Sequence, residues 1–285
     1  MDVPRWAWRG AAACLLFVGV LAGCSTLDER QRVWIFQPSD RAWWGGTAAA
    51  QTMDDVWIDF VSQTTGEPAR LHGLWAAGPQ ADAPVLLYLH GARWNIVGSA
   101  HRMRRLQELG FAVLGIDYRG FGQSTSALPS EDMAYEDALA AWNWLARQYP
   151  GRSRYVFGHS LGGAIAVDLA SRVDSLGGLI IEGSFTSIPD VVSSFKWGWL
   201  PVGPLITQRF DAASRIGKVK APVLVVHGSD DGLIKPDLGR KLFDQAREPK
   251  RFVLVEGGSH HSTNAIGQPQ YRQALSELFG LQRAE

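Results

Sequence analysis

The sequence predicts an α/β fold: a mostly parallel central sheet with helices on both faces. Three observations predict it. From Pro84 onward, short runs rich in Val, Leu and Ile alternate with longer helical runs, the pattern of a parallel sheet covered on both sides. Three of the apolar runs end in turns that carry a serine, an aspartate and a histidine, and open α/β sheets build their sites at the carboxyl ends of strands. The 285 residues are 46% hydrophobic and 20% charged, which suits a globular chain with a sizeable core.

The first residues read as a separate unit. Arg5 and Arg9 precede twelve mostly apolar residues, Ala11 to Ala22, too few to span a bilayer and suited to a signal-peptide core. The run ends in Leu21-Ala22-Gly23-Cys24, which resembles the bacterial lipobox, where cleavage before the cysteine follows lipid attachment to its sulfur. Residues 1–23 are therefore the expected signal peptide and Cys24 the expected lipidation site. The expected location is a membrane of the bacterial envelope, with Ser25 permitting the outer membrane, facing the periplasm, in a Gram-negative cell. The only cysteines are Cys14 and Cys24, so the mature domain is expected to hold no disulfide. Removing residues 1–23 takes away Asp2, Arg5 and Arg9 and leaves 26 basic and 27 acidic residues, a net of −1. Without a basic excess, nucleic acid is an unsuitable partner. No second hydrophobic span follows, so the domain is expected to sit on a membrane rather than in one.

Residues 24–54 read as a polar, irregular tether leading into a first edge element, followed by a catalytic domain over 55–285. Val56–Val61 and Arg70–Trp75 flank a Thr-Gly-Glu-Pro turn and predict an antiparallel hairpin. Strands are placed at 84–90, 111–117, 153–158, 177–182, 221–227 and 251–256. Helices fall between or after them at 99–109, 131–148, 161–172, 237–247 and 268–279. Ser130, with Glu131 and Asp132, gives the second helix an N-cap and an acidic first turn. One segment breaks the alternation: 183–220 is long, aromatic and holds three prolines, and reads as a small cap over the site. Phe195, Trp197, Trp199 and Leu200 in it are candidates for a lipid interface, or equally for the inside of the cap.

The chemistry is carried by Gly158-His159-Ser160-Leu161-Gly162, set between an apolar strand and a helix. That placement is the nucleophile elbow: a strained turn lifts the serine hydroxyl from the sheet, and glycines on either side make room. A nucleophilic serine needs a base, and the base needs an orienting carboxylate. Gly228-Ser229-Asp230-Asp231 and Gly258-Ser259-His260-His261 supply both types, each after a buried strand and in the order Ser, Asp, His. No metal-ligand spacing is present, and no cofactor is expected.

With these motifs, and with His90-Gly91-Ala92, Asp117 to Ser124 and Glu182 to Pro189, the chain from about 33 to 281 resembles the α/β-hydrolase superfamily. The nearest subgroup is the small-cap serine hydrolases, which include eukaryotic protein depalmitoylases and many bacterial membrane-associated esterases. The resemblance implies Ser160 as nucleophile, His260 as general base and acid, and Asp231 as the carboxylate that orients it. It implies an oxyanion hole made by the N–H groups of Leu161 and Ala92, with Arg93 as the rival of Ala92. The family spacing picks Asp231 over Asp230 and His260 over His261. Asp117 is expected to organise a loop, His90 and His227 to bond turns, and His159 to be structural. The expected activity is hydrolysis of carboxylic esters or thioesters of apolar acyl groups, with a small-molecule or lipid ester as substrate. A serine aminopeptidase or amidase needs an acidic group for the substrate amine, and the cap offers only Asp190 and Asp211. The non-enzymatic alternative is a silent binding module of the envelope.

Overall fold

The computed structural model describes residues 25–39, 46–195 and 198–281. Its centre is an eight-stranded sheet. The strands are β1 (Asp54–Val61), β2 (Pro68–Ala76), β3 (Val85–Leu89), β4 (Ala112–Ile116), β5 (Arg154–His159), β6 (Leu176–Glu182), β7 (Val223–Gly228) and β8 (Lys250–Val255). Their spatial order is β1-β2-β4-β3-β5-β6-β7-β8. β1 and β2 form the expected antiparallel hairpin, β2 runs antiparallel to β4, and all other pairs are parallel.

Strand alternation divides the core into two layers. Val85, Leu87 and Leu89 of β3 face one layer, Leu86 and Tyr88 the other. Because both faces are covered, these strands read as continuous apolar runs. The first layer is closed by α4 (Glu131–Gln148) and α5 (Leu161–Arg172), the second by α3 (Ala100–Glu108) and α10 (Gln268–Phe279). Ser130 Oγ accepts from the Met133 N–H, the expected N-cap of α4. α8 (Pro236–Asp244) connects β7 to β8.

The topology itself locates a crevice. β3 is flanked by β4 on one side and β5 on the other, so the chain leaves β3 in one direction and β5 in the other. At such a switch point the loops after the two strands diverge and open a cleft. Those loops carry Gly91-Ala92 and Ser160.

Residues 25–36, expected to be irregular, form a helix, α1. Its inward face is Asp28, Gln31, Arg32, Ile35 and Phe36, a helical spacing filled mostly by polar groups. Gln31 Nε2 donates to Leu205 O at 2.8 Å, and Gln208 Nε2 donates to Asp28 Oδ1 at 2.9 Å. Phe36 inserts into the core, edge-on to Phe210. α2 (Gly46–Ala50) follows. The segment expected to be a cap holds α6 (Ile188–Ser193), a 3-10 turn at Gly203–Leu205 and α7 (Ala213–Ile216). The last short helix, α9 (Thr263–Ile266), precedes α10. No described helix is long and apolar enough to cross a membrane. Residues 1–23, Cys24 and Trp197 lie outside the described residues.

A buried ionic knot fastens the loop after β4 to α4 and to the end of β1. Arg119 Nε donates to Asp137 Oδ1 at 2.7 Å, Nη2 to Glu136 Oε2 at 2.6 Å, and Nη1 to Ser62 Oγ at 2.7 Å. Its backbone N–H donates to Asp137 Oδ2 at 2.8 Å. Arg119 and Asp137 are almost fully buried. Arg119→Met is therefore expected to destabilise the fold by about 3–5 kcal/mol, because it strands a buried carboxylate. Urea unfolding checks this, and adding Asp137→Leu is expected to recover most of the loss.

Candidate active site

β5 enters the elbow with Ser160 at φ 56° and ψ −122°, a strained conformation for a residue with a side chain. The flanking glycines are obligatory. A Cβ on Gly158 would lie 2.2 Å from Gly162 O, and one on Gly162 would lie 2.1 Å from Leu89 O. The strained turn is held by main-chain bonds: Ser160 N–H donates to Glu182 O at 3.0 Å, and Ser160 O accepts from Ser184 Oγ at 2.8 Å. α5 starts at Leu161, so its first N–H groups have no partner within the helix.

Asp231 follows β7, and His260 follows β8. His260 Nδ1 lies 2.8 Å from Asp231 Oδ2, and both side chains are buried. The other carboxylate oxygen, Oδ1, accepts from Leu233 N at 3.0 Å and Ile234 N at 2.8 Å. Burial alone would raise the Asp231 pKa. Hydrogen bonds from His227 and His260, helped by the Ile234 N–H, outweigh it and hold the carboxyl well below its ordinary value. The geometry separates the adjacent pairs. Asp230 is exposed and accepts from Ser229 Oγ. His261 is exposed and lines the cavity, edge-on to His260 and Trp94.

The loop after β3 supplies Ala92 and Arg93. Arg93 N–H donates to Phe36 O at 2.9 Å, so it is already committed to the end of α1. Among the described residues the Ala92 N–H has no acceptor, and Ala92 and Leu161 both line the cavity. Of the two rivals, Ala92 is thus the one with a proton to offer.

The cavity measures about 430 Å³. Ser160, His260, Ala92 and Leu161 lie along it, and Phe185, Ile188, Val191, Val192 and Phe195 of the cap segment form an apolar wall. α1 adds Trp34 and Ile35.

Beneath the histidine loop lies a network that sequence reasoning did not foresee. Glu182 is fully buried and accepts from Arg102 Nε at 3.0 Å and from Tyr271 OH. Burial would lower the Arg102 pKa; the Glu182 charge overrides this and raises it. His159 Nε2 donates to His260 O at 3.0 Å. Burial, then the charges of Arg102 and His260, push the His159 pKa well down, so the ring is neutral and serves as a strut. His227 bonds its turn as expected, with Nε2 2.9 Å from Ile234 O, and also lies 3.4 Å from Asp231 Oδ2. The shorter contact is to the carbonyl, so Asp231 receives the lesser share of that proton. Asp117 organises the neighbouring loop after β3, its Oδ1 accepting from Ile96 N at 2.6 Å, and His72 bridges Asp55 and Asp117. Among the described residues no cluster could hold a metal ion.

Together, the switch-point cleft, the strained serine and the buried Asp–His pair define a hydrolase-type site on an α/β sheet. Comparison with known proteins agrees. The family described as serine aminopeptidase, S33, matches residues 80–211. An uncharacterised protein of Mycobacterium tuberculosis is 37% identical over 242 residues, 84% of this chain and 83% of that one. The lysophosphatidylserine lipase ABHD12 of Danio rerio is 33% identical over 190 residues, 60% of this chain and 49% of that one, so the match spans about half of that protein. The structure of the Pyrococcus furiosus esterase Pf2001 superposes with a TM-score of 0.66 at 17% identity, covering 85% of this chain and 97% of that one. The chain belongs to the α/β-hydrolase superfamily.

Proposed function

We propose that this protein is a serine hydrolase of carboxylic esters or thioesters, tethered to a bacterial envelope membrane by lipid on Cys24. The observation that carries the reading is the 2.8 Å Asp231–His260 contact beside a cavity that Ser160 shares with an apolar wall. Ser160 Oγ attacks the acyl carbon while His260 takes its proton, and Asp231 stabilises the imidazolium. The oxyanion is met by the N–H groups of Leu161 and Ala92. The bond from the acyl carbon to oxygen or sulfur breaks, and the leaving group takes the proton from His260. Water, activated by the same histidine, then releases the carboxylic acid and restores Ser160.

The tether suits the cavity mouth. Trp34, Phe195 and Leu233 line it and are 59%, 43% and 45% exposed. Trp34 lies on α1, which begins at the residue bonded to Cys24 and spans roughly 18 Å. A lipid on Cys24 would thus hold this apolar mouth close to the bilayer, where tryptophan is favoured.

The S33 match favours one other reading, an aminopeptidase. Such an enzyme needs a carboxylate for the substrate amine. Among the described residues none lines the cavity. Asp190 is held by Thr186 and Ser187, and Asp211 caps Ser214 N.

One experiment tests both halves of the proposal. The full chain, expressed in a Gram-negative host, is probed with a fluorophosphonate. Labelling is expected in the membrane fraction, is blocked by prior incubation with a long-chain p-nitrophenyl ester, and moves to the soluble fraction in Cys24→Ala. Absence of labelling in folded protein would overturn the hydrolase reading, and unchanged fractionation of the variant would overturn the tether.

A further inference from the structure

The cavity is chemically two-sided. Besides the apolar cap residues it is lined by Arg93, His101, Arg102, Arg105 and His261. The chain as a whole has a formal charge of zero, so this excess of cationic groups is local. Not all of it is available to a ligand. The Arg102 charge is spent on Glu182, 3.0 Å away, in the network under the site.

Arg93 and Arg105 differ. Neither has a carboxylate within ion-pair distance among the described residues. Each is instead anchored at Nε by a neutral amide oxygen: Arg93 by Gln37 Oε1 at 2.8 Å, Arg105 by Asn264 Oδ1 at 2.8 Å. An amide oxygen fixes a guanidinium without neutralising it. The Nη forks are left charged beside the cavity, the arrangement that binds a phosphate or carboxylate through paired hydrogen bonds. Burial and the nearby Arg102 charge lower the Arg105 pKa, and Glu182 and Glu108 pull against them. Burial, then His260 and Arg102, depress the His261 pKa, Asp231 opposes them, and Arg93 adds the smallest lowering.

The placement says which part of a substrate this wall meets. His260 must deliver its proton to the leaving group, and His261 and Arg102 adjoin it, with Arg102 Nη2 3.5 Å from His261 O. Arg93 directly follows Ala92, and both line the cavity. Arg105 and His101 lie one helical turn apart on α3 and share a face. The acyl side is left to Phe185, Ile188, Val191, Val192 and Phe195.

We propose that Arg93 and Arg105, assisted by His101, form a subsite for an anionic leaving group, so that the preferred substrates are fatty-acyl esters of a phosphate-bearing alcohol. The proposal rests on the ester-hydrolase reading above and names the substrate class of that same site.

The test compares two esters with one acyl chain, 1-palmitoylglycerol 3-phosphate and 1-palmitoylglycerol, below their aggregation concentrations and with the full chain. The kcat/KM ratio is expected to favour the phosphate ester by about tenfold or more, the scale of a charge-assisted fork. Added salt should shrink the ratio. Arg93→Gln and Arg105→Gln should each lower it several-fold, Arg93→Glu should take it toward one, and Arg105→Lys should retain part of it. Arg93 is exposed, so its variants are expected to fold, and thermal melting verifies this. Inorganic phosphate at the same concentration should not slow fluorophosphonate labelling, whereas the phosphate ester should. Equal turnover of the two esters, or a ratio indifferent to both arginines, overturns the subsite and leaves the esterase standing. Protection by inorganic phosphate alone assigns the wall to free anions and overturns the lipid proposal. No turnover of either ester, with no labelling, overturns the hydrolase reading and the subsite with it.

Discussion

Ser160→Ala is expected to abolish fluorophosphonate labelling and to lower kcat on a p-nitrophenyl ester by roughly 10⁶-fold, the scale of losing a triad nucleophile. The variant isolates chemistry from folding. The contacts that hold residue 160 are made by its backbone: its N–H to Glu182 O, and its carbonyl from Ser184 Oγ and the Gly163 N–H. Alanine keeps all three, and it inherits the same strained φ of 56° without adding a larger side chain. The melting temperature should therefore stay close to that of the parent while activity vanishes. Residual hydrolysis above the uncatalysed rate is expected from the oxyanion donors alone. Labelling that survives in the variant would move the nucleophile away from Ser160.

The strands, most helices and the three candidate catalytic residues were legible because their signals are local. A β-strand ending in Gly-His-Ser-Leu-Gly announces its turn within five residues, and Asp231 and His260 each follow their strand at short range. The described bounds of α4, α5 and α10 match the expected helices: α4 carries its cap and acidic first turn, α5 starts at the elbow, and α10 stops at Gly280 in the left-handed region. What was not legible depends on partners far apart. Arg102, Glu182 and Tyr271 are separated by 80 and 89 residues and meet only once β6, α3 and α10 have packed. His72 gave no signal because its two carboxylates come from β1 and the end of β4. α1 hid for another reason: Asp28 and Gln31 face inward to meet groups of the cap segment and Arg32 the carbonyls of Leu128 and Pro129, so the apolar stripe that marks a helix is nearly absent. That helix also bears on Ala92 and Arg93, because Phe36 O accepts from the Arg93 N–H.

Asp231→Asn is expected to fold and to lose roughly 10⁴-fold in kcat, the scale of forcing the wrong histidine tautomer. Two backbone N–H groups, of Leu233 and Ile234, already point at Oδ1. The asparagine must place its oxygen there, since the opposite orientation would set an NH₂ group against two donors. Its NH₂ then replaces Oδ2, 2.8 Å from His260 Nδ1 and 3.4 Å from His227 Nε2. A donor now faces Nδ1, so the neutral ring is stabilised with its proton on Nε2, the nitrogen that should accept from Ser160. His227 is less affected, because its Nε2–H has Ile234 O at 2.9 Å as an alternative. Asp230→Asn serves as the control and should change kcat little, since that side chain is exposed. The pH dependence of stability gives an independent check. The folded pKa of Asp231 is depressed, so its ionised form stabilises the fold above the ordinary carboxylate pKa, and that contribution is lost as pH falls through the lowered value. Thermal melts between neutral and acidic pH should therefore fall less steeply in Asp231→Asn than in the parent. Parallel slopes would mean that Asp231 is not held ionised by His260 and its neighbours, and the orienting role would have to pass to another carboxylate.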